Sequence, residues 1–228
     1  MPATYFSPEL FRFLADLKAN NERSWFEAHR DRYEQHLKGP ALRFIEDFAP
    51  HLQKVSPHFR ADPRPVGGSL FRIHRDVRFS KDKSPYKTHV GIHFRHEQAR
   101  TAHAPGFYLH LEPGQVFLGA GIWRPERPAL ERIRERLGEE PRVWKRVRDG
   151  KRFRDRFDLS GESLSRVPRG YAADHPVVDD LRRKDFIAVA PLEVETACGP
   201  GLLKELGALC RDAGPFVRFL CEALEVAF

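Results

Sequence analysis

Long apolar runs, paired cysteines and nucleotide-type glycine loops are what this chain of 228 residues lacks. No stretch approaches the ~18 to 20 consecutive apolar residues of a membrane helix, and no basic-then-apolar leader is visible. Both absences point away from a membrane partner and to the cytoplasm as the default compartment. The three cysteines, Cys198, Cys210 and Cys221, are an odd number at long spacings, which suits neither a disulfide framework nor a zinc knuckle. Cys210 and Cys221 fall among apolar residues of expected helices, as buried thiols do. There is no nucleophile elbow, no Walker-type phosphate loop and no paired-carboxylate spacing. The residues therefore define a site more readily than a reaction.

What is present is a folded composition: 41% hydrophobic residues with 18 Phe, enough for one domain spanning residues 1–228. A formal charge of +7 attracts acidic partners without choosing among them. Ser7-Pro8-Glu9 reads as a helix start, followed by the stripe Leu10, Phe11, Leu14 and Leu17. Asn20-Asn21 ends that helix and caps a second one carrying Trp25, Phe26, Tyr33 and Leu37, which Gly39-Pro40 breaks before a third with Leu42, Ile45, Phe48 and Leu52. Residues 55–69 form a Pro- and Gly-rich loop. Strands are expected at about 70–79, 88–95, 106–112 and 115–123, with a tight turn at Gly114. Helices return from Pro125, a further strand covers Phe186 to Ala190, and two helices close the chain. The basic run 145–156 reads as a solvated helix face and loop. Helices before and after a block of strands predict an α+β fold: an antiparallel sheet of four to six strands, with N- and C-terminal helices packed on its apolar face.

Charge concentrates between Phe71 and Arg95, where seven basic side chains stand against two acidic ones. With a period of two, Phe71, Ile73, Val77 and Phe79 share one face, and Arg72, His74, Asp76 and Arg78 the other; Arg75 alone breaks the apolar row. In the return arm Val90, Ile92 and Phe94 alternate with His89, Gly91, His93 and Arg95. The two arms read as antiparallel partners. If the apolar rows face helices, the open face collects Arg72, His74, Asp76, Arg78, His89, His93, Arg95, Tyr108, His110, Phe117 and Trp123, over side-chain-free backbone at Gly91, Gly119 and Gly121.

Arg72, Arg75, Asp76, Arg78, Phe79, Asp82, Lys83 and Tyr86 spell R-x-x-R-D-x-R-F-x-x-D-K-x-x-Y, eight specified positions in fifteen residues. In this the chain resembles the mainly bacterial family called domain of unknown function 2461. Asn20-Asn21 ahead of Trp25-Phe26, Gly121-Ile122-Trp123 before Pro125, and Pro168-Arg169-Gly170-Tyr171 extend the resemblance over nearly the whole chain. It implies which residues to watch and brings no activity with it.

Arginine offers a planar fork of donors and stays charged when partly buried. The leading expectation is therefore a pocket for a small phosphorylated or carboxylated ligand, drawn from Arg72, His74, Arg75, Asp76, Arg78, Asp82, Lys83, Tyr86, His93, Tyr108, His110 and Trp123. Within it Lys83, Asp82 and Tyr86 are proton-transfer groups, and His74 or His110 a candidate base. Three other readings use the same letters. One is a structural Arg-Asp network that needs no ligand. Another is a metal centre of His74, His93 and His110 with Asp76 or Glu112. The last is a single-stranded nucleic-acid module stacking bases on Phe117, Trp123 and Tyr108.

Overall fold

The computed structural model describes residues 3–98 and 105–228. Four α-helices lead: α1 (Pro8–Ala19), α2 (Arg23–Ala28), α3 (Arg30–Tyr33) and α4 (Gly39–Gln53). A π-helical turn, Glu34–Lys38, joins α3 to α4, so Gly39-Pro40 does not break the helix as expected. Pro40 has no N–H to donate and its ring crowds the preceding turn; a wider π turn accommodates both. Leu10, Phe11, Phe13, Leu14 and Leu17 bury one face of α1, and Phe44, Ile45, Phe48 and Leu52 that of α4.

Among the described residues six strands follow: β1 (Phe59–Arg60), β2 (Val90–His96), β3 (Gly106–Glu112), β4 (Gln115–Ile122), β5 (Asp158–Ser160) and β6 (Phe186–Pro191). They form one antiparallel sheet in the order β1-β2-β3-β4-β6-β5. The architecture is the expected α+β. Gly114, with φ +82°, makes the tight turn between β3 and β4. The short strands β1 and β5 were not anticipated, because two or three residues carry no period.

The expected strand over residues 70–79 is absent. Only isolated bridges, Leu70 to Ile92 and His74 to Tyr86, link the two arms, with backbone bonds from Phe71 N to Gly91 O and from Lys87 N to Ile73 O. Arg75 in the apolar row and Pro85 opposite it deny the arms a continuous ladder. Ile73 is buried, but Phe79 at the tip is 95% exposed. The apolar row thus ends in solvent.

The remaining helices are α5 (Arg127–Glu139), α6 (Pro141–Arg148), α7 (Lys151–Arg154), α8 (Val178–Leu181), α9 (Val194–Ala197) and α10 (Leu202–Ala223). Two closing helices were expected where α10 runs unbroken through Pro215. A proline costs a helix interior about 3 kcal/mol. Burial of Leu209, Cys210, Ala213, Phe216, Val217 and Leu220 at roughly 1.5–3 kcal/mol for each large side chain outweighs it. Helix α10 packs on β4, α4 and α6, and α1 on β3. One core unites these helices with Ile92, Phe94, Phe107, Leu109, Leu118, Ile122 and Phe186 of the sheet. No described helix is long and apolar enough to cross a membrane. Cys210 and Cys221 lie buried and free, while Cys198 is half-buried.

The glycines of the open face are not a bare floor. A Cβ on Gly91 would stand 2.6 Å from the Tyr108 hydroxyl and 3.1 Å from Phe71, so side chains already fill that space. Gly121 adopts φ +114°, and a Cβ there would come within 2.0 Å of the Phe186 carbonyl oxygen. Gly121→Ala is therefore expected to cost at least about 3 kcal/mol in urea denaturation. Gly119→Ala, whose nearest neighbour would lie at 3.7 Å, should stay within about 1 kcal/mol of the parent.

Candidate functional site

The candidate site is held in place by an amide. Asn21, just past α1, does not cap α2, whose N-cap is Glu22. Its side chain instead accepts from Tyr86 N at 3.0 Å and donates to Tyr86 O at 3.0 Å. Tyr86 is 3% exposed and stacks on Phe26 with ring centroids 4.2 Å apart. His74 leans on Tyr86 at 5.2 Å and on Phe26 at 6.3 Å. The charged excursion is thus fastened to the helical layer at one point.

Beside this fastening lies a cleft of about 510 Å³ lined by Lys18, Asn21, Arg75, Asp76, Asp82, Ser84, Tyr86, Lys87, Thr88 and His89. Arg75 Nη1 donates to Asp82 and, at 3.1 Å, to the Ser84 carbonyl. Asp82 also accepts from Ser84 N at 2.9 Å and Ser84 Oγ at 2.6 Å. Those bonds, with the Arg75 charge, hold its carboxyl down at about 2. Asp76 is likewise held at about 2 by Arg78, which grips it bidentately at 3.0 and 2.7 Å. Lys87 Nζ donates to Arg72 O at 2.5 Å and His74 O at 3.0 Å. Burial, then Arg72 and Arg75, lower its pKa. Lys83 ties the loop tip by donating to Val77 O at 3.0 Å.

Of the expected residues, Arg75, Asp76, Asp82 and Tyr86 reach the cleft. Arg72, His74, Arg78 and Lys83 belong to the same excursion but do not line it, and Arg78 is turned outward onto Asp76 with its side chain 76% exposed. Asn21 lies 65 positions upstream of Tyr86 and Lys18 further still, and nothing local to the hairpin could reveal them.

His93, Tyr108 and His110 occupy the sheet beside the cleft. His110 stacks on His89 at 4.8 Å and on Phe117 at 4.7 Å. Its Nε2 is 3.2 Å from Glu112 Oε2 and its Nδ1 is 3.3 Å from the Tyr108 hydroxyl. Hydroxyl donating to imidazole, and imidazole donating to carboxylate, satisfies both contacts with one tautomer. Such a chain can pass a proton. Burial pushes His110 down. It brings His89 to about 4, helped by His110 and Lys87, and His93 to about 4, helped by Arg95. Tyr108 is raised to about 12 by burial and Glu112.

His74 lies against Phe26 and Tyr86. Among the described residues no three His, Cys, Asp or Glu side chains form a group that could hold a metal ion. The proposed stacking face is also not open. Tyr108 is half-covered by Phe71 at 5.9 Å, Phe117 lies against His110, and Trp123, 56% exposed, stands beyond the C-terminal end of β4 with Arg124 over its ring at 4.8 Å.

The buried imidazoles set a pH response. His93 has its ordinary value of 6.5 when unfolded and about 4 when folded, so between these limits the unfolded state binds the extra proton. Its stability contribution is present above pH 6.5 and lost as pH falls towards 4. Chemical denaturation across that window should lose on the order of 2 kcal/mol to His93, and His93→Gln should flatten the slope. Asp76 and Asp82, unfolded at 3.8, titrate below it.

Neither a curated protein nor a solved structure matches the chain. The model of one family, described as "Conserved hypothetical protein (DUF2461)", matches residues 9–219. Covering nearly the whole chain, signature hairpin and cleft included, that match places this protein in the DUF2461 family.

Proposed function

We propose that this protein binds a small phosphorylated or carboxylated ligand in the cleft beside Tyr86. One observation carries the reading. Basic side chains from separate segments, Lys18 of α1 with Arg75 and Lys87 of the excursion, line a single concavity together with the polar groups of Asn21, Ser84, Thr88 and His89, and its two carboxylates, Asp76 and Asp82, are already engaged by Arg78 and Arg75. Arginine and lysine supply permanent charge for an anion, and the neutral amide, hydroxyls and imidazole supply directional hydrogen bonds. Arg72, outside the lining, adds its charge to that of Lys87, while Arg78 neutralises Asp76. The adjoining Tyr108-His110-Glu112 chain would serve a ligand that exchanges a proton.

A second reading has its own support. The Arg75-Asp82 and Arg78-Asp76 pairs, with Lys87 on two carbonyls, fasten the excursion to itself, and a purely structural network would use the same bonds.

Lys18 separates the two. Its side chain is 69% exposed and only 3.9 Å from Glu112, so Lys18→Ala removes cleft charge while costing less than about 0.5 kcal/mol of stability. Thermal-shift screening with phosphorylated and carboxylated metabolites should find a ligand that raises Tm, and Lys18→Ala should weaken it about ten-fold by calorimetry while the unliganded Tm stays unchanged. Arg78→Ala, which leaves the Asp76 carboxylate of the cleft wall without its partner, should also lower affinity more than stability. No shift from any member of the panel at millimolar concentration would leave the structural network standing alone.

A further inference from the structure

A second concentration of positive charge lies away from the cleft, on α6 and α7. Residues 141–156 contain eight basic and two acidic side chains, and the ion pairs divide them into two kinds. Arg148 reaches the buried Asp180 at 2.6 Å. Arg156 pairs with Asp212 at 3.0 Å and with Glu205. Those two fasten the segment to the core. Lys151 and Arg154 share Asp155. Arg142, Lys145, Arg146 and Arg152 are exposed, and among the described residues no ion pair engages them.

Arg142, Lys145 and Arg146 stand three and four positions apart, hence on one face of α6, where like charges weaken a helix. The acidic residue at the end of that face, Asp149, is claimed by Arg148 through bonds of 2.7 and 2.8 Å. Folding explains Arg148 and Arg156; it gives no use for the other four.

We propose that this face of α6 and α7 docks duplex nucleic acid through its phosphodiester backbone. Guanidinium forks suit phosphate oxygens. Of the apolar residues of α6, Trp144 is fully buried and Val147 packs on the core, which leaves Val143, 38% exposed, as a single apolar side chain among the charges, too little to lay into a lipid surface. Phe153 is buried as well. With no exposed ring on the patch, bases cannot stack there, and contact is with the backbone and without sequence preference.

Fluorescence anisotropy with the full chain and a labelled random-sequence duplex of about 20 base pairs tests this, over salt from about 50 to about 200 mM. Binding in the range of roughly 10⁻⁴ to 10⁻⁶ M is expected, with log affinity falling against log salt at a slope between about −3 and −4 for four phosphates. The double variant Arg142→Glu, Arg146→Glu should bind at least about ten-fold more weakly and lose about 2 from the slope. Lys145→Gln with Arg152→Gln, a milder change, should move both in the same direction. Lys54→Glu with Lys81→Glu, an equal charge change at exposed positions outside α6 and α7, should stay within about two-fold because salt screens it. Absence of duplex binding at the lowest salt overturns the proposal. So does an equal loss from the control pair, or binding to phosphatidylserine vesicles in place of DNA. Melting curves of each variant exclude unfolding as the cause.

Discussion

The Asn21 amide occupies both backbone groups of Tyr86, standing in for the neighbouring strand that residue lacks. The bonds are needed because the excursion from Phe71 to Lys87 has little else to hold it. Its large buried side chains are few, Ile73 and Tyr86, and its ion pairs are exposed ones worth about 0 to 1 kcal/mol each. Burying Tyr86 against Phe26 contributes roughly 2 kcal/mol, and two satisfied backbone bonds add about 1 kcal/mol apiece. Apolar burial and the amide therefore locate the loop, and the charges then arrange themselves around that anchor. Arg75, Asp82 and Lys87 face the cleft because residue 86 cannot move.

A division of labour follows between the two kinds of polar group around the cleft. The excursion carries fixed charges, of which Arg75, Arg78, Lys83 and Lys87 have carboxylates or carbonyl oxygens as partners. Strand β2 and the residue before it carry imidazoles that burial keeps uncharged near neutrality, His93 and His89 at about 4. Were the imidazoles protonated, they would add to an already basic loop and strain it by like-charge repulsion. Held neutral, they offer hydrogen bonds and flat surfaces without enlarging the field.

Much of the fold was legible because β2, β3 and β4 alternate cleanly and the helices α1, α4 and α10 show apolar stripes. Where the reading failed, a local signal was overruled by something distant. Gly39-Pro40 and Gly214-Pro215 look like stops, yet a π turn absorbs one and core packing the other. Phe71, Ile73, Val77 and Phe79 look like a strand face, yet Arg75 interrupts the row and Phe79 finds no surface to cover. The site was legible only in part for the same reason. The hairpin's charge density and signature pointed to Arg75, Asp76, Asp82 and Tyr86. Lys18 and Asn21 reach the cleft through tertiary folding, which no spacing encodes, and Trp123 was lost because β4 ends one residue before it.

Burial in α10 has also settled the chemistry of sulfur in this molecule. The thiols of Cys210 and Cys221 are pushed far up by desolvation, Cys221 to about 12, so neither furnishes a thiolate at ordinary pH. Cys198, half-buried after α9, is raised by burial and Glu195 but not sealed in the core. A maleimide dye would consequently attach at one place without mutagenesis, giving a spectroscopic reporter at the junction of α9 and α10.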